Sequence, residues 1–186
     1  MKISILAVLL AVSISAWSQT TTTGTVIRVN SNQANCGGTN CLLGTAIWNG
    51  TTNIFGTKQG AAFTFTSTPV IATSLYLKAS GGTLSAPQNF IRVRYTGTQI
   101  IVETTTNSGG GFTTQGTFAA TFANGDRLTA VANADGSVDV WKTTLAAVTT
   151  YLGRSSAVAG FTGTGRIGMR LPVAASVDNF SGGTLP

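Results

Sequence analysis

The sequence predicts an all-β fold, an antiparallel two-sheet β-sandwich, and three observations support this prediction. Gly is abundant with 23 residues and Pro is rare with 4; together with many threonines, this composition favours short strands joined by turns over helices. Short segments of alternating apolar and polar residues recur at regular spacing, with Gly-centred turns between them. No segment beyond the apolar N-terminus keeps a helical period. The length of 186 residues suits one domain.

The N-terminus has the pattern of a secretory signal peptide. A positive residue, an apolar run and two small residues follow one another, namely Lys2, Ile3 to Ile14, Ala16 and Ser18. This order is typical of a signal that is cleaved, here before Gln19. A retained membrane anchor is the alternative, but the run is shorter than the roughly 20 apolar residues that cross a bilayer. We therefore expect export.

The expected organisation has three parts: a signal peptide at residues 1–18, a flexible lead-in at 19–25 and a single β-sandwich domain at 26–186. No second long apolar segment occurs, so no membrane span is expected in the secreted chain, whether it is extracellular, on the cell surface or in the periplasm. Basic residues outnumber acidic ones by 11 to 5. They are scattered singly, which argues against a nucleic-acid partner. A basic surface suits polyanions, or serves only solubility.

Cys36 and Cys41 are the only cysteines. In an oxidising compartment a close, even pair predicts a disulfide, and the intervening glycines allow such a small ring to close. A free redox pair and half of a metal site are the alternatives, and a metal site would need ligands that the chain lacks. The short loop implies a stabilisation of about 2 kcal/mol, so the bond would fix one loop rather than hold the fold.

The clearest strands lie in the second half of the chain. Phe90–Tyr95 alternates apolar and basic residues, and Gln99–Thr104 returns in step after a turn at Gly97. Further strands are predicted at 26–29, 61–66, 70–78, 118–122, 127–132, 137–142, 165–171 and 177–180. Residues 30–60 are interpreted as a loop region with one apolar patch at 46–48. Alternation assigns one set of side chains to the core: Ile91, Val93, Ile100, Val102, Val138, Val140, Ile167 and Met169.

Composition excludes several kinds of chemistry. The chain has no His, so it lacks Ser-His-Asp and Cys-His catalysis as well as imidazole metal ligands. It has 5 acidic residues, and Glu103 is its only Glu. Glycoside hydrolysis needs two carboxyl groups held at a defined separation, which so small a set is poorly suited to supply. We therefore expect no enzymatic activity.

Five short motifs occur in an order that is typical of one family: Phe122–Ala130, Ala134–Trp141, Tyr151–Gly153, Gly165–Leu171 and Val177–Gly183. With this order the chain resembles concanavalin A-like lectin/glucanase domains, including laminin G-like domains of secreted bacterial proteins. The resemblance covers roughly residues 88–183 and implies a jelly roll of two curved antiparallel sheets. Family members include lectins, glycoside hydrolases, carbohydrate-binding modules and adhesion or spacer domains.

The resemblance also bears on catalysis. Hydrolases of the family carry Glu-x-Asp-x-x-Glu on one strand, whereas Glu103 here is followed by three threonines. Since the second and third acidic residues are missing, the resemblance implies binding without hydrolysis.

The predicted saccharide-binding surface consists of the outward neighbours of the core residues: Arg92, Arg94, Glu103, Asp139, Trp141 and Arg170. Trp141 would stack on a sugar ring while the charged groups bind its hydroxyls. The alternative is a plain solvated surface with cross-strand ion pairs. Trp48 with Tyr76 is a second candidate site, although a lone Trp is more often a core residue.

One metal is implied by the resemblance. Relatives often hold a structural Ca²⁺ near the terminal strand, where Asp178 matches one ligand and Asn30 lies near the other end. Ca²⁺ takes about six to eight oxygens, several of them from carboxylates. A turn-capping carboxylate is the alternative for Asp178. No other cofactor is expected.

Two functions remain open. The first is a secreted, non-catalytic, lectin-like module that binds a polysaccharide or glycan. The second is a structural or adhesive protein of the extracellular surface or matrix, which binds protein or self-associates. Few charges and exposed sheet edges favour the second. A glycan array separates the two, because a lectin must select some sugar.

Overall fold

The computed structural model describes residues 17–19, 26–30, 33–37, 43–48, 54–83 and 86–186. Within these residues the regular structure is β, apart from one 3₁₀ turn at Ala159–Phe161. Residues 1–16 of the predicted signal peptide lie outside the described residues. Cys41 does too, so its bond to Cys36 stays a prediction, although Cys36 is not a free thiol.

The described strands are β1 Trp17–Gln19, β2 Val26–Asn30, β3 Gln33–Gly37, β4 Leu43–Trp48, β5 Gln59–Phe65, β6 Ser74–Gly82, β7 Pro87–Tyr95, β8 Gln99–Thr105, β9 Thr113–Ala119, β10 Arg127–Ala132, β11 Val138–Thr143, β12 Thr149–Arg154, β13 Arg166–Pro172 and β14 Ser176–Thr184. No helix among the described residues is long and apolar enough to cross a membrane.

The strands form two antiparallel sheets of seven strands each. Sheet I has the order β1-β4-β13-β6-β7-β8-β9, and sheet II has the order β12-β11-β10-β5-β14-β3-β2. Neighbouring hairpins build one end of each sheet, whereas β13 and β14 insert between strands from the first half of the chain. This arrangement is the predicted β-sandwich. β1 crosses the predicted cleavage point, because Trp17–Gln19 pairs with Trp48–Ala46 of β4.

The core lies between the two sheets and follows the predicted alternation. All eight side chains assigned to it from the sequence are at most 1% exposed. Aromatic rings fill the space near the turn that joins β7 to β8, where Phe65 contacts both Tyr95 and Phe122 with ring centroids 5.8 and 5.3 Å apart. The Tyr95 hydroxyl donates to the Gly97 carbonyl at 2.6 Å, so this buried polar atom is satisfied.

Several segments differ from the sequence prediction, among them residues 70–73, which were predicted as strand but form a turn before β6. β3 and β4 lie in the region interpreted as loop, and β12 was not predicted at all. The segment predicted as a strand at 118–122 begins earlier and ends at Ala119, and Phe122 is instead a buried residue of the following connection, 8% exposed. Trp48 ends β4 as a core residue, 3% exposed and packed against Phe55.

One edge of the sandwich is closed by contacts of β9 with β12 and with the residues that follow β12. The Ser156 amide donates to the Gln115 carbonyl at 3.0 Å, and Phe118 packs so closely on Gly153 that an added Cβ would lie 2.6 Å from its ring. Gly153 is therefore required by close approach. This contact fixes the position of β12, which carries part of the candidate site.

Candidate functional site

The six residues predicted to form one saccharide surface divide between the two sheets. Arg92, Arg94, Glu103 and Arg170 lie on β7, β8 and β13 of sheet I, whereas Asp139 and Trp141 lie on β11 of sheet II. Their chain neighbours face the shared core, so the two groups point away from each other on opposite faces. The predicted combination of Trp141 with Arg92 and Arg94 in one site is therefore wrong.

Sheet II presents an aromatic pair on its outer face. Val138 and Val140 are fully buried, and alternation turns Trp141 outward. Trp141 is the register partner of Tyr151 on β12, and a bulge between Val140 and Trp141 shifts the pairing at this point. The two ring centroids are 5.4 Å apart with planes tilted by 50°. Tyr151 is 53% exposed, so the pair offers a ring surface to solvent.

A buried carboxylate holds the polar groups beside these rings. Asp139 is 5% exposed and accepts four hydrogen bonds. Arg154 donates through Nε and Nη2 at 2.8 and 2.7 Å. The Tyr151 hydroxyl donates at 2.7 Å and the Asn133 amide at 2.8 Å. We call Trp141, Tyr151, Asp139, Arg154 and Asn133 the Trp141 platform.

Electrostatics fix the protonation states of the platform. Burial alone would raise the pKa of Asp139, but hydrogen bonds from Arg154, Asn133 and Tyr151 outweigh it and hold that pKa below its usual value. Burial and the bond to Asp139 raise the pKa of Tyr151, so its hydroxyl stays a neutral donor. Asp139 is thus an orienting group whose acceptors are occupied, while Arg154 and Tyr151 face solvent.

The four residues on sheet I form a second group. Glu103 accepts from Arg92 Nε at 2.8 Å and from Arg94 Nη2 at 2.7 Å, and its side chain is only 7% exposed. Burial acts to raise the pKa of Glu103, but the hydrogen bonds and charges of Arg94 and Arg92 lower it below its usual value. An ionised carboxylate held in this way is unsuited to act as a general acid.

The other carboxylates also form ion pairs or hydrogen bonds within the structure. Asp126 pairs with Lys142 at 2.8 Å, and Asp139 belongs to the Trp141 platform. Asp135 accepts from the Ser137 amide and hydroxyl in a turn. With Glu103 and Asp178 these are all the acidic residues of the chain. Each of the five thus has a structural contact, and no two of them are placed as a catalytic pair.

The second candidate pair from the sequence consists of packing residues. Trp48 belongs to the core, and Tyr76 is 3% exposed on the outer side of sheet I, where it stacks on Phe90 at 4.4 Å. Burial raises the pKa of Tyr76 against the opposing charges of Arg170 and Arg92. Near this cluster a pocket of about 260 Å³ is lined by Ile47, Ala79, Ser80, Gly81, Gly82, Thr83, Pro87 and Arg166.

The residues around Asp178 do not fit the implied Ca²⁺ site. The Asp178 carboxylate accepts from the Asn179 amide at 2.6 Å, which is a turn contact. No group of three or more Asp, Glu, Cys or His side chains that could hold a metal occurs in the part of the chain that the structure describes. Ca²⁺ normally takes several carboxylates, so we derive no function from a metal here.

Solved structures share this architecture. The carbohydrate-binding module CBM66 from Bacillus subtilis matches with a TM-score of 0.59 at 10% sequence identity, over 90% of this chain and 95% of that chain. The exoplasmic/lumenal domain of VIP36 in a Ca²⁺/Man-bound form matches with a TM-score of 0.56 at 11% identity, over 91% of this chain and 83% of that chain. The fold is therefore a concanavalin A-like jelly roll. No protein-family model and no curated protein matches the sequence.

Three residues of the Trp141 platform were missed from the sequence: Tyr151, Arg154 and Asn133. Tyr151 and Arg154 lie on β12, whose sequence Thr-Thr-Tyr-Leu-Gly-Arg has little alternation. The available signal was the short segment 144–148 after β11, which is the length of a hairpin loop. A hairpin there places β12 beside Trp141.

Proposed function

We propose that this chain is a secreted, non-catalytic carbohydrate-binding domain whose ligand lies on the Trp141 platform. The observation that carries the proposal is the adjacent pair Trp141 and Tyr151, with ring centroids 5.4 Å apart on the outer face of a rigid sheet. An aromatic ring on an open face stacks on the apolar side of a pyranose, and fixed polar groups beside it select the hydroxyl pattern.

The polar groups suit this role because their geometry is set before a ligand arrives. Asp139 holds the Tyr151 hydroxyl and the Arg154 guanidinium in place. The Arg154 side chain is 58% exposed, so its outer part can donate to a sugar oxygen. An open platform without an enclosing cavity implies weak binding, with a Kd of about 10⁻⁵ to 10⁻³ M.

The fold and the export signal agree with this proposal. CBM66 is named a carbohydrate-binding module and the VIP36 domain was solved in a Ca²⁺/Man-bound form. At their low identity, they support the choice of ligand class only by analogy. The N-terminal pattern supports secretion, and mass spectrometry of exported protein should find a chain that begins at or near Gln19 with Cys36 and Cys41 oxidised.

The test compares variants in calorimetric titrations against a panel of neutral polysaccharides. Trp141→Ala should abolish binding, and Tyr151→Phe should weaken it because only the hydroxyl is lost. The matched control is Val173→Ala, an apolar side chain that is 57% exposed in the turn after β13. The melting temperature of Val173→Ala should stay within about 2 °C of the wild type, since its side chain is exposed. Circular dichroism should show that Trp141→Ala and Tyr151→Phe keep the wild-type β signal.

Three outcomes contradict this proposal. If wild type binds no glycan of the panel, the platform is not a saccharide site. If Trp141→Ala binds as well as Val173→Ala does, the ligand lies elsewhere. Release of reducing sugar from any polysaccharide would contradict the absence of catalysis.

Self-association is a second candidate function, because apolar side chains are exposed beside the platform. Leu145 is 79% exposed and Val148 59% exposed in the turn between β11 and β12. A concentration-dependent shift in size-exclusion chromatography that Leu145→Ser removes would support it.

A further inference from the structure

We propose that the outer face of sheet I is a second binding surface, which takes a polysaccharide bearing carboxylate or sulfate groups. Arg92, Arg94 and Arg170 lie on this face, where Glu103 pairs with Arg92 and Arg94. The surface is distinct from the Trp141 platform, which lies on the other sheet, and it goes beyond the neutral saccharide binding proposed above.

The strand register places two of these arginines on either side of a short side chain. Arg170 of β13 pairs with Ser74 of β6, and Ser74 pairs in turn with Arg94 of β7. Two strand spacings separate the backbones of Arg170 and Arg94 by about 10 Å. On the far side of Arg170 the register partner is Thr45 of β4, another short polar residue. The arginines thus stand above small neighbours in a row that runs across the strands.

The charges on this face are not balanced. Glu103 is shared by Arg92, with Nη2 at 2.7 Å, and by Arg94, with Nη2 also at 2.7 Å. One carboxylate shared by two guanidinium groups leaves a surplus positive charge, and Arg170 adds a second. Arg170 also lies close enough to the Tyr76 hydroxyl to affect its pKa, but Tyr76 carries no negative charge. An anion on this face would supply the missing charge.

Hydrogen bonding at Arg170 is incomplete as well. Its Nε is a buried donor without an acceptor, and an unsatisfied buried donor is costly. The residue as a whole remains partly exposed. A carboxylate or sulfate group would pair with the outer guanidinium nitrogens, since a planar guanidinium binds such oxyanions through two parallel bonds.

The face is held rigid from one side. The Arg92 guanidinium carbon lies 3.5 Å from the centroid of the Phe112 ring, and its side chain is only 11% exposed. Arg92 is therefore a positioning residue that fixes Glu103, whereas Arg94, 24% exposed, and Arg170 are the residues that reach a ligand. A row of arginines across a sheet suits a chain of repeated acidic sugars better than a single small anion.

The test uses two matched pairs of polymers: polygalacturonate with its methyl-esterified form, and dextran sulfate with dextran. Wild type should bind the charged member of a pair more tightly than the neutral one, and about 0.5 M salt should weaken this additional binding. Arg170→Gln should lower the affinity by about tenfold. This substitution breaks no ion pair among the described residues, and circular dichroism of the variant should show the wild-type β signal.

The matched control is Lys58→Gln, which removes the same unit of charge from an exposed side chain whose Nζ contacts the Pro186 carbonyl. It should bind the polyanions as wild type does. Equal losses in Arg170→Gln and Lys58→Gln would overturn the proposal, because net charge alone would then explain binding. A lack of polyanion binding by wild type would overturn it too.

The two proposals fail separately. Trp141→Ala should leave polyanion binding intact, and Arg170→Gln should leave neutral saccharide binding intact. Polyanion binding that is lost in Trp141→Ala and kept in Arg170→Gln would place the anion on sheet II and overturn the inference.

Discussion

Lys78 is a cation buried between the two sheets. Its side chain is 2% exposed, and its Nζ donates to the Thr57 carbonyl at 2.7 Å and to the Asn133 carbonyl at 2.8 Å. The Gln59 side chain accepts from the Lys78 amide at 2.9 Å. Through these bonds one side chain of β6 in sheet I contacts the loop before β5 and the β10–β11 turn of sheet II. Burial lowers the pKa of Lys78, opposed by the charge of Asp135.

We expect Lys78→Met to lower the free energy of unfolding by about 1–3 kcal/mol at neutral pH, because two carbonyls lose their donor. Since the folded-state pKa lies below the unfolded value, the unfolded chain binds more protons between the two values. The free energy of unfolding of wild type should therefore rise relative to that of Lys78→Met as pH increases through this window towards 10.5. Urea unfolding measured at several alkaline pH values checks both effects.

Lys58→Met is the control for this prediction, since Lys58 is an exposed residue. It should unfold as wild type does. A variant at Lys78 that is as stable as wild type at every pH would show that the buried ammonium contributes nothing to joining the sheets.

At the scale of the strand, the hairpin β10–β11 decides which residues form the platform. Val138 and Val140 pair with Ala132 and Ala130, and all four are fully buried. This register turns Asp139 and Trp141 to the opposite side. A slip by one residue would exchange the two faces of β11.

We expect Val140→Asp to unfold the domain. Burying an unpaired carboxylate at a fully buried position costs several kcal/mol, against a total stability of roughly 5–15 kcal/mol. Circular dichroism should show loss of the β signal and of a cooperative melting transition. The paired control is Thr143→Asp, on the outer side of the same strand and partly exposed, which should fold. A well-folded Val140→Asp protein would mean that the faces of β11 are reversed.

The alternation of apolar and polar residues predicted the strands that have one buried face and one solvent-facing side. It could not predict strands without this alternation. β7, β8 and β13 alternate clearly, and the sequence assigned their core residues correctly. β4 has the sequence Leu-Gly-Thr-Ala-Ile-Trp, whose last three residues are all buried, so its pattern has no period of two. Such a strand is recognised only from its neighbours, β1 and β13.

The error in the candidate site has a physical cause of the same kind. Alternation correctly turned both Trp141 and Arg92 away from the core. It contains no information on which sheet a strand joins, because that depends on pairings between distant segments, such as β13 with β4 and β6. Two outward residues can therefore lie on opposite faces of a sandwich, as these do.

The molecule as a whole has an unusual set of titrating groups. It has no His, so no side chain with an ordinary pKa titrates between about pH 5 and 8. Its most buried carboxylates, Glu103, Asp126 and Asp139, each form an ion pair with an arginine or lysine. Burial acts to raise their pKa values, but the hydrogen bonds and charges of their partners leave all three below the usual values.

We therefore expect stability that is constant from about pH 5 to 8 and that falls in acid. Because these three pKa values are lower in the folded state, the unfolded chain binds more protons as pH drops below its ordinary carboxyl values of 4.5 and 3.8. The stabilisation is complete above that range and is lost as pH falls through it towards the lowered pKa values of the folded state.

Urea unfolding at a series of pH values measures the free energy of unfolding directly. Since Arg154 is the ion-pair partner of Asp139, Arg154→Gln should show a smaller acid loss than wild type, while Lys58→Gln should show the same loss. A step in stability between pH 5 and 8, or a maximum in acid, would contradict this account of the buried ion pairs.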